Sequence, residues 1–413
     1  MCNRNPVSAA LSAFWFVIAC AGCGFGPHAL RVNQTRYNEA IQGATNEQLL
    51  LNLVRLRYRD VPLFLQIPSV STQYEIRQAT RFDTTLNENV GPEPLNPDVW
   101  NLGATFEFSE RPTVTLIPLQ ENEFVKRMFA KYDPDTIALL HGSGWAVDRV
   151  LMLTVSRING LGNAVTAASP TPEEAPEFAE FARFCKLLRA LQKRGEYSLE
   201  PFPRDVDVSD VFTYGEVPPG ELLSLAEKGY KLRRSGEGYV LRSTRKDWRL
   251  HLTEAGRTSP EWGEACKLLG LDPSLKEYEV LLGTASAYNE EAAGTRSRLI
   301  ITPRSLLGTL FFLSHAVDVP RDDLSSGLAT VTRDAEGREI DWGDVTMQLL
   351  RIHSASQLPA HAAVAVRYRG KWFYIDDRDR NTKSTFMLLN YMFALQAGEY
   401  ESTAPILTLP VGR

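Results

Sequence analysis

Histidine and aspartate side chains cluster towards the C-terminus, at His353, His361, Asp376, Asp377 and Asp379. Imidazole nitrogens and carboxylate oxygens bind divalent metal ions, and the same groups transfer protons in hydrolysis. The three aspartates follow an alternating apolar stretch and precede a helical one, where carboxylates favour the helix N-terminus. We therefore interpret them as a capping turn, assign no catalytic residue, metal ion or cofactor, and keep a hydrolase site as the alternative.

Two cysteines of the body of the chain, Cys185 and Cys266, lie on apolar faces of predicted helices. In an oxidising compartment they can form a disulfide. Unpaired cysteines are instead ordinary core residues, because free cysteine is among the most buried residue types. Both interpretations stay open at this point. The chain has no G-x-S-x-G, H-E-x-x-H or G-x-x-x-x-G-K motif that would indicate a known catalytic or phosphate-binding site.

The N-terminus combines a positive charge, Arg4, with the uncharged apolar run Val7–Ala19. An apolar core of about 7–15 residues between a basic start and small residues is typical of an export signal. The run ends in Val-Ile-Ala before Cys20, and this resembles the lipobox of bacterial lipoproteins. The resemblance implies cleavage before the cysteine, which then carries the lipid. We favour Cys20, and Cys23, which follows an Ala-Gly pair, is the alternative.

The lipobox resemblance also implies a location. The residue after each candidate cysteine, Ala21 or Gly24, is not the aspartate that often retains lipoproteins in the inner membrane. The expectation is a protein held by its acyl chains, palmitate among them, in the outer membrane on the periplasmic side. Each buried methylene contributes about 0.8 kcal/mol, so a multiply acylated cysteine is a stable anchor. The stretch Leu49–Tyr58 resembles uncharacterised envelope lipoproteins, which implies no activity.

Behind the leader, some stretches have apolar residues at helical spacing and others alternate apolar with polar residues. The two kinds follow one another without a regular order, which predicts an α+β fold. A helix is expected from Asn46 to before Pro62, with leucines along one face. The other expected elements are a strand at Val70–Ile76, two strands around a turn at Ser109–Pro112, a helix that Asp133-Pro134 caps, a three-stranded meander over Gly229–Leu252, a hairpin of Ala362–Tyr368 with Lys371–Ile375, and a helix over Thr382–Ala397.

Proline content predicts one linker, over 167–177, because three prolines occur in Ala167–Pro176. At roughly 100–200 residues per domain, the chain is long enough for two or three domains. The predicted organisation is a signal peptide over 1–19, a lipidated tether over 20–33, an α+β domain over 34–166, the linker, a helix and meander domain over 178–296, and an α+β domain over 297–413.

Composition narrows the classes of function. Hydrophobic residues make up 44% of the chain and charged residues 23%, which excludes a disordered or collagen-like protein. The net charge of -5 provides no broad basic field, so nucleic acid is not an expected partner. We expect a binding or scaffold role, as an accessory subunit of an envelope complex, with outer-membrane lipid and an envelope protein as partners. A periplasmic hydrolase using the histidine and aspartate cluster is the alternative.

Overall fold

The computed structural model describes residues 25–85, 99–119, 122–213, 218–283, 296–397 and 407–410. The predicted leader, with Cys20 and Cys23, lies outside them. Contacts divide the chain into two compact units, one drawn from Met1–Gln42, Leu63–Glu121 and Glu399–Arg413 and the other from Gly43–Pro62 and Asn122–Gly398. Helices and mixed sheets occur together, so the predicted α+β class is confirmed. In the described ranges, no helix has both the length and the apolar character needed to cross a membrane.

The helices are numbered in chain order. They are α1 (Phe25–Arg57), α2 (Asn122–Phe129), α3 (Pro134–Gly142), α4 (Val147–Thr154), α5 (Ala179–Arg194), α6 (Pro219–Glu227), α7 (Glu254–Arg257), α8 (Pro260–Leu269), α9 (Leu306–Ser314), α10 (Arg321–Ser325), α11 (Trp342–Val345) and α12 (Arg380–Ala397).

The strands are numbered in the same way. They are β1 (Leu65–Thr85), β2 (Val99–Pro118), β3 (Val155–Ile158), β4 (Leu161–Gly162), β5 (Tyr197–Asp207), β6 (Tyr230–Ser235), β7 (Gly238–Leu252), β8 (Glu277–Leu282), β9 (Arg298–Pro303), β10 (His353–Ala355), β11 (Ala362–Tyr368), β12 (Lys371–Asp376) and β13 (Leu407–Pro410).

Helix α1 is longer than the sequence predicted, because it begins at Phe25 and takes in most of the predicted tether. Pro27 lies in its first turn, where a backbone N–H has no intrahelical acceptor and proline is therefore tolerated. The predicted apolar face is confirmed, since Leu50, Leu53 and Val54 are fully buried.

In the first unit, β1 and β2 form a long antiparallel ribbon, and β13 pairs with β2 along its other edge. The turn predicted at Ser109–Pro112 is wrong, because β2 runs through it without a break. Pro112 pairs with Thr72 of β1, while the described pairs with β13 reach only to Thr113. Proline lacks a donor N–H and is tolerated in a strand where only one neighbour is present.

The second unit contains a seven-stranded sheet with the order β4-β3-β9-β8-β7-β5, and β6 pairs with one end of β7. Neighbouring strands are antiparallel except for β8 and β9, which are parallel. A smaller sheet has the order β10-β12-β11. The larger sheet takes strands from all three predicted domains, so the boundaries at 167–177 and 296 do not separate compact units.

The segment predicted as a linker packs within the second unit. Thr171 is buried, and its hydroxyl accepts a hydrogen bond of 3.0 Å from Arg57 Nη1. The main chain of Arg333 donates to the carbonyl of Glu173 at 2.8 Å and accepts from the N–H of Ala175 at 2.9 Å. These contacts hold the segment within one compact unit, which includes the residues on both sides of it, so the linker prediction is wrong.

One continuous strand, β7, replaces two strands of the predicted meander. The hairpin of β6 and β7 forms across Ser235–Gly238 as expected. Beyond it, β7 stays extended because it pairs with β5 without interruption from Arg242 to Leu252. The hairpin of β11 and β12 is also as predicted, and its turn residues Arg369 and Gly370 have the positive φ angles, 46° and 80°, of a two-residue turn.

Candidate functional site

The three C-terminal aspartates make local contacts in the turn before α12. Asp379 caps the helix, because its carboxylate accepts two hydrogen bonds from Thr382. The main-chain N–H of Thr382 donates at 3.0 Å and the Thr382 hydroxyl at 2.6 Å. Asp377 pairs with the ammonium group of Lys383 at 2.5 Å, which lowers the pKa of the Asp377 carboxyl. Asp376 accepts the main-chain N–H two residues further on at 2.8 Å. These are the contacts of a capped helix terminus.

The two histidines have other partners. Nδ1 of His353 lies 3.2 Å from Asp318, and its ring lies against that of Tyr374. The carbonyl of His361 accepts the main-chain N–H of Asp377 at 2.8 Å. Within the part of the chain that the structure describes, no three histidine, cysteine or carboxylate side chains are placed to hold a metal ion. His361 acts electrostatically on Asp377, and His353 on Asp379, so each histidine lies near one of these aspartates, and the alternative hydrolase site stays a prediction.

The cysteines of the body, Cys185 in α5 and Cys266 in α8, are both buried and free. The disulfide considered from the sequence is therefore not formed. Cys266 Sγ instead lies 3.9 Å from the hydroxyl of Tyr278. Burial raises the pKa of the Cys266 thiol to about 11 and that of Cys185 well above its ordinary value. Both thiols are protonated core groups at neutral pH and are not reactive thiolates.

An apolar chamber of about 80 Å³ lies between the large sheet and helices α3, α4 and α5 of the second unit. Cavities of about 150 Å³ bind benzene, so this chamber accepts a smaller group, such as a branched aliphatic one. Its walls are formed by Pro134, Ile137, His141, Val147, Val150, Leu151, Ile158, Phe184, Leu188, Tyr197, Leu199, Trp248, Leu250, Val280, Leu281, Leu282, Leu299 and Ile301.

One hydrogen-bonded pair is set into this apolar wall. His141 Nε2 and the hydroxyl of Tyr197 are 2.9 Å apart, and the ring centroids are 5.4 Å apart. Burial lowers the pKa of the His141 imidazole and raises that of the Tyr197 phenol. Both groups are therefore neutral at pH 7, and the chamber presents a polar spot without a charge.

Two caps hold the helical wall of the chamber in place. Asp133 caps α3, because its carboxylate accepts a hydrogen bond of 2.9 Å from the main-chain N–H of Asp135. Pro134 occupies the first helical position, as predicted. Helix α4 has no cap of its own. Its first N–H, at Val147, donates to Gln192 Oε1 of α5 at 2.9 Å, and Gln192 Nε2 donates to the carbonyl of Trp145 at 2.9 Å. Helix α5 thus fixes where α4 begins.

Sequence patterns did not indicate this chamber. Its lining residues appeared only as apolar core positions, and β5, which contributes Tyr197, was not predicted. That strand contains Pro201 and Pro203 among charged residues, so it lacks the usual strand pattern. The pairing of His141 with Tyr197 joins residues far apart in the chain and has no local signal. No family model, curated protein or solved structure matches this chain, so its function is inferred from the chemistry of the site.

Proposed function

We propose that this protein is a lipoprotein anchored in the outer membrane, facing the periplasm, that acts by binding. The apolar chamber is its binding site. Its partners are outer-membrane lipid, through an acylated Cys20, and a protein of the envelope. The anchor is supported by the lipobox-like leader. Binding is supported by one observation, a chamber of about 80 Å³ whose walls are apolar except for one histidine–tyrosine pair.

The chemistry of the chamber wall favours binding over catalysis. The described residues that line it include no serine, cysteine, carboxylate, lysine or arginine side chain. Its two titratable groups, His141 and Tyr197, are hydrogen-bonded to each other. An apolar group that enters is removed from water at a gain of about 25 cal/mol per Å² of apolar surface. The chamber is thus suited to hold an aliphatic group and supplies no nucleophile to attack it.

Xenon is a direct probe of such a chamber, since dry apolar cavities bind it. We expect the ¹²⁹Xe NMR shift of a xenon-saturated solution to change in proportion to the concentration of the full-length protein. Val280→Phe places a larger side chain at a half-buried position in the wall of the chamber, and we expect it to abolish most of this change.

The matched control is Val61→Phe, the same change at a residue that is 84% exposed and outside the chamber. It is expected to leave the xenon shift as in the wild type. Thermal unfolding of both variants establishes that they are folded. Equal xenon shifts in wild type and Val280→Phe would contradict the assignment of the binding site.

Replacing Cys20 by serine is expected to move the protein from the outer-membrane fraction to the periplasmic fraction. The acyl chains provide the anchor, at about 0.8 kcal/mol per buried methylene, and serine at this position is not acylated. The measurement combines membrane fractionation with mass spectrometry of the N-terminal peptide from native envelope. Cys23→Ser is the matched control and should stay anchored. An unmodified N-terminus, or an acylated Cys23, would overturn the assignment to Cys20.

A further inference from the structure

Strand β11 forms one edge of the small sheet, which has the order β10-β12-β11. It pairs with β12 along one side, and no other described strand lies along its other side. Ala363 and Arg367 are exposed, and Ala365 between them is half-buried. An unpaired edge presents a row of main-chain N–H and C=O groups to which another strand can be added.

The turn between β11 and β12 determines which main-chain groups face outward. The two-residue turn at 369–370 closes on the pair of Tyr368 with Lys371, and such a closing pair is hydrogen-bonded. Along an antiparallel ladder, hydrogen-bonded and non-hydrogen-bonded pairs alternate. The N–H and C=O groups of Ala365 and Arg367 therefore point away from β12. In the described ranges, neither residue has a main-chain partner on that outer side.

The sequence of β11 does not protect this edge. Edge strands are commonly blocked by proline or charged residues, or are kept very short. Strand β5, at one end of the large sheet, contains Pro201 and Pro203, and β10, at the other edge of the small sheet, has three residues. Strand β11 has seven residues without proline, and its first charged residue is Arg367. The register shift between Ala362 and Val364 affects its start and leaves the rest regular.

We propose that two copies of this protein pair through this edge, with β11 antiparallel to β11 about a two-fold axis at Ala365. The two Ala365 residues face each other and exchange two main-chain hydrogen bonds, and Arg367 of each copy faces Ala363 of the other. A two-fold interface uses the same surface of both subunits, as this arrangement does. The small sheets of the two copies become one sheet of six strands. This inference goes beyond the proposed function, because it rests neither on the chamber nor on the anchor.

Charge complementarity favours a second copy as the occupant of the edge. In the described ranges, Arg367 has no carboxylate within ion-pair distance, and Asp376 has the exposed Arg378 at 3.8 Å. Arg367 pairs with Trp372 of β12, and Asp376 lies four residues further along, so both side chains are on one face of the sheet.

The two-fold pairing brings these opposite charges together. Arg367 of one copy lies two strands away from Asp376 of the other, which is about 10 Å between their main chains. An arginine and an aspartate side chain together span that distance, so the dimer gains an ion pair on each side of its axis. A strand of another protein would need its own carboxylate to match Arg367, whereas this hairpin supplies one itself.

Disulfide trapping in native envelope tests both the partner and the register. Opposed residues of a hydrogen-bonded antiparallel pair have Cα atoms about 5.5 Å apart, within the range of a disulfide. Ala365→Cys should therefore form a covalent dimer on oxidation, seen on a non-reducing gel. Arg367→Cys alone should not, because its two copies are about 13 Å apart along the strands. Co-expression of Ala363→Cys with Arg367→Cys should restore the cross-link.

The oligomeric state of the full-length wild type in detergent needs no substitution, and native mass spectrometry should show two chains. Ala365→Pro removes an outward N–H from each copy, so dimerisation should weaken by about tenfold or more. Proline is tolerated at an edge position whose N–H faces solvent, so the hairpin itself should persist. Ala365→Ser is the matched control and should dimerise as the wild type does. Thermal unfolding establishes that both variants are folded.

Four results would overturn the proposal. They are a monomeric wild type, a folded Ala365→Cys variant that gives no covalent dimer, a dimer trapped equally well by Arg367→Cys alone, and a disulfide of Ala365→Cys with a different protein. The last result would show that the edge binds another partner. The mass of the wild type does not depend on how a variant folds, so the proposal stays testable if a substitution destabilises the hairpin.

Discussion

Acidification from pH 7 to pH 4 is expected to lower the free energy of unfolding by about 3 kcal/mol through one buried histidine, His315. Its imidazole is almost fully excluded from solvent and stacks on the ring of Trp342, with the centroids 4.2 Å apart. Burial, together with the charges of Arg57 and Arg304, lowers the pKa of His315 to about 3. An unfolded histidine has a pKa of about 6.5.

The hydrogen bonds of His315 explain why it stays neutral. Nε2 lies 3.0 Å from the carbonyl of Ala167, which can only accept, so Nε2 carries the proton. Nδ1, 3.2 Å from the hydroxyl of Thr171, is then the acceptor. That hydroxyl also accepts a hydrogen bond of 3.0 Å from Arg57. A second proton on His315 would leave the Thr171 hydroxyl proton without its acceptor and add a charge beside buried arginines.

The sign of the pH effect follows from proton binding. Between about pH 6.5 and pH 3, the unfolded chain binds a proton at His315 that the folded chain does not bind. The contribution of His315 to the free energy of unfolding is therefore fully present above about pH 6.5 and is lost progressively as the pH falls towards 3.

His315→Gln removes the titrating group and keeps a polar side chain. Urea unfolding of wild type and variant across pH 7 to pH 4 should show the variant with the smaller loss of stability, by about 3 kcal/mol. Every other titratable group is common to wild type and variant, so the difference between the two curves isolates His315. Parallel curves would refute the prediction.

Trp262→Ala is expected to lower the free energy of unfolding by about 3–5 kcal/mol, the usual cost of removing a large buried aromatic side chain. Trp262 is fully buried in α8. Its ring lies 5.1 Å from that of Tyr278 in an edge-on arrangement, and its Nε1 donates to the Tyr278 hydroxyl at 3.3 Å. That hydroxyl donates in turn to the carbonyl of Asp272 at 2.5 Å. Alanine would leave a cavity beside the thiol of Cys266.

Trp262→Phe is the matched control for this substitution. It keeps most of the packed ring and loses the indole N–H, so we expect a cost of about 1–2 kcal/mol. Urea unfolding followed by tyrosine and tryptophan fluorescence, with circular dichroism beside it, measures both variants. A cost below about 1 kcal/mol for the alanine variant would show that this region is not part of the cooperative core.

Local patterns predicted much of the fold correctly. The leucines of α1 form its buried face, Asp133 and Pro134 start α3, and Arg369-Gly370 joins β11 to β12. Each of these features depends on residues within a few positions of one another. The errors concern residues whose partners are distant. The proline-rich segment that suggested a linker is bound by Arg57 and Arg333, and β7 stays extended through a polar stretch because β5 pairs with it.

The amino-acid order alone therefore indicated several of the helices, the hairpins of β6 with β7 and of β11 with β12, and the α+β class, and it is the basis for the predicted leader and Cys20. Hydrophobic spacing, caps and turn residues act over a few residues, so they can be read locally. Tertiary packing decided that three predicted domains share one sheet and that Cys185 and Cys266 are buried and free. It also created the chamber, because a cavity depends on how distant strands and helices meet, and no short stretch of sequence contains that geometry.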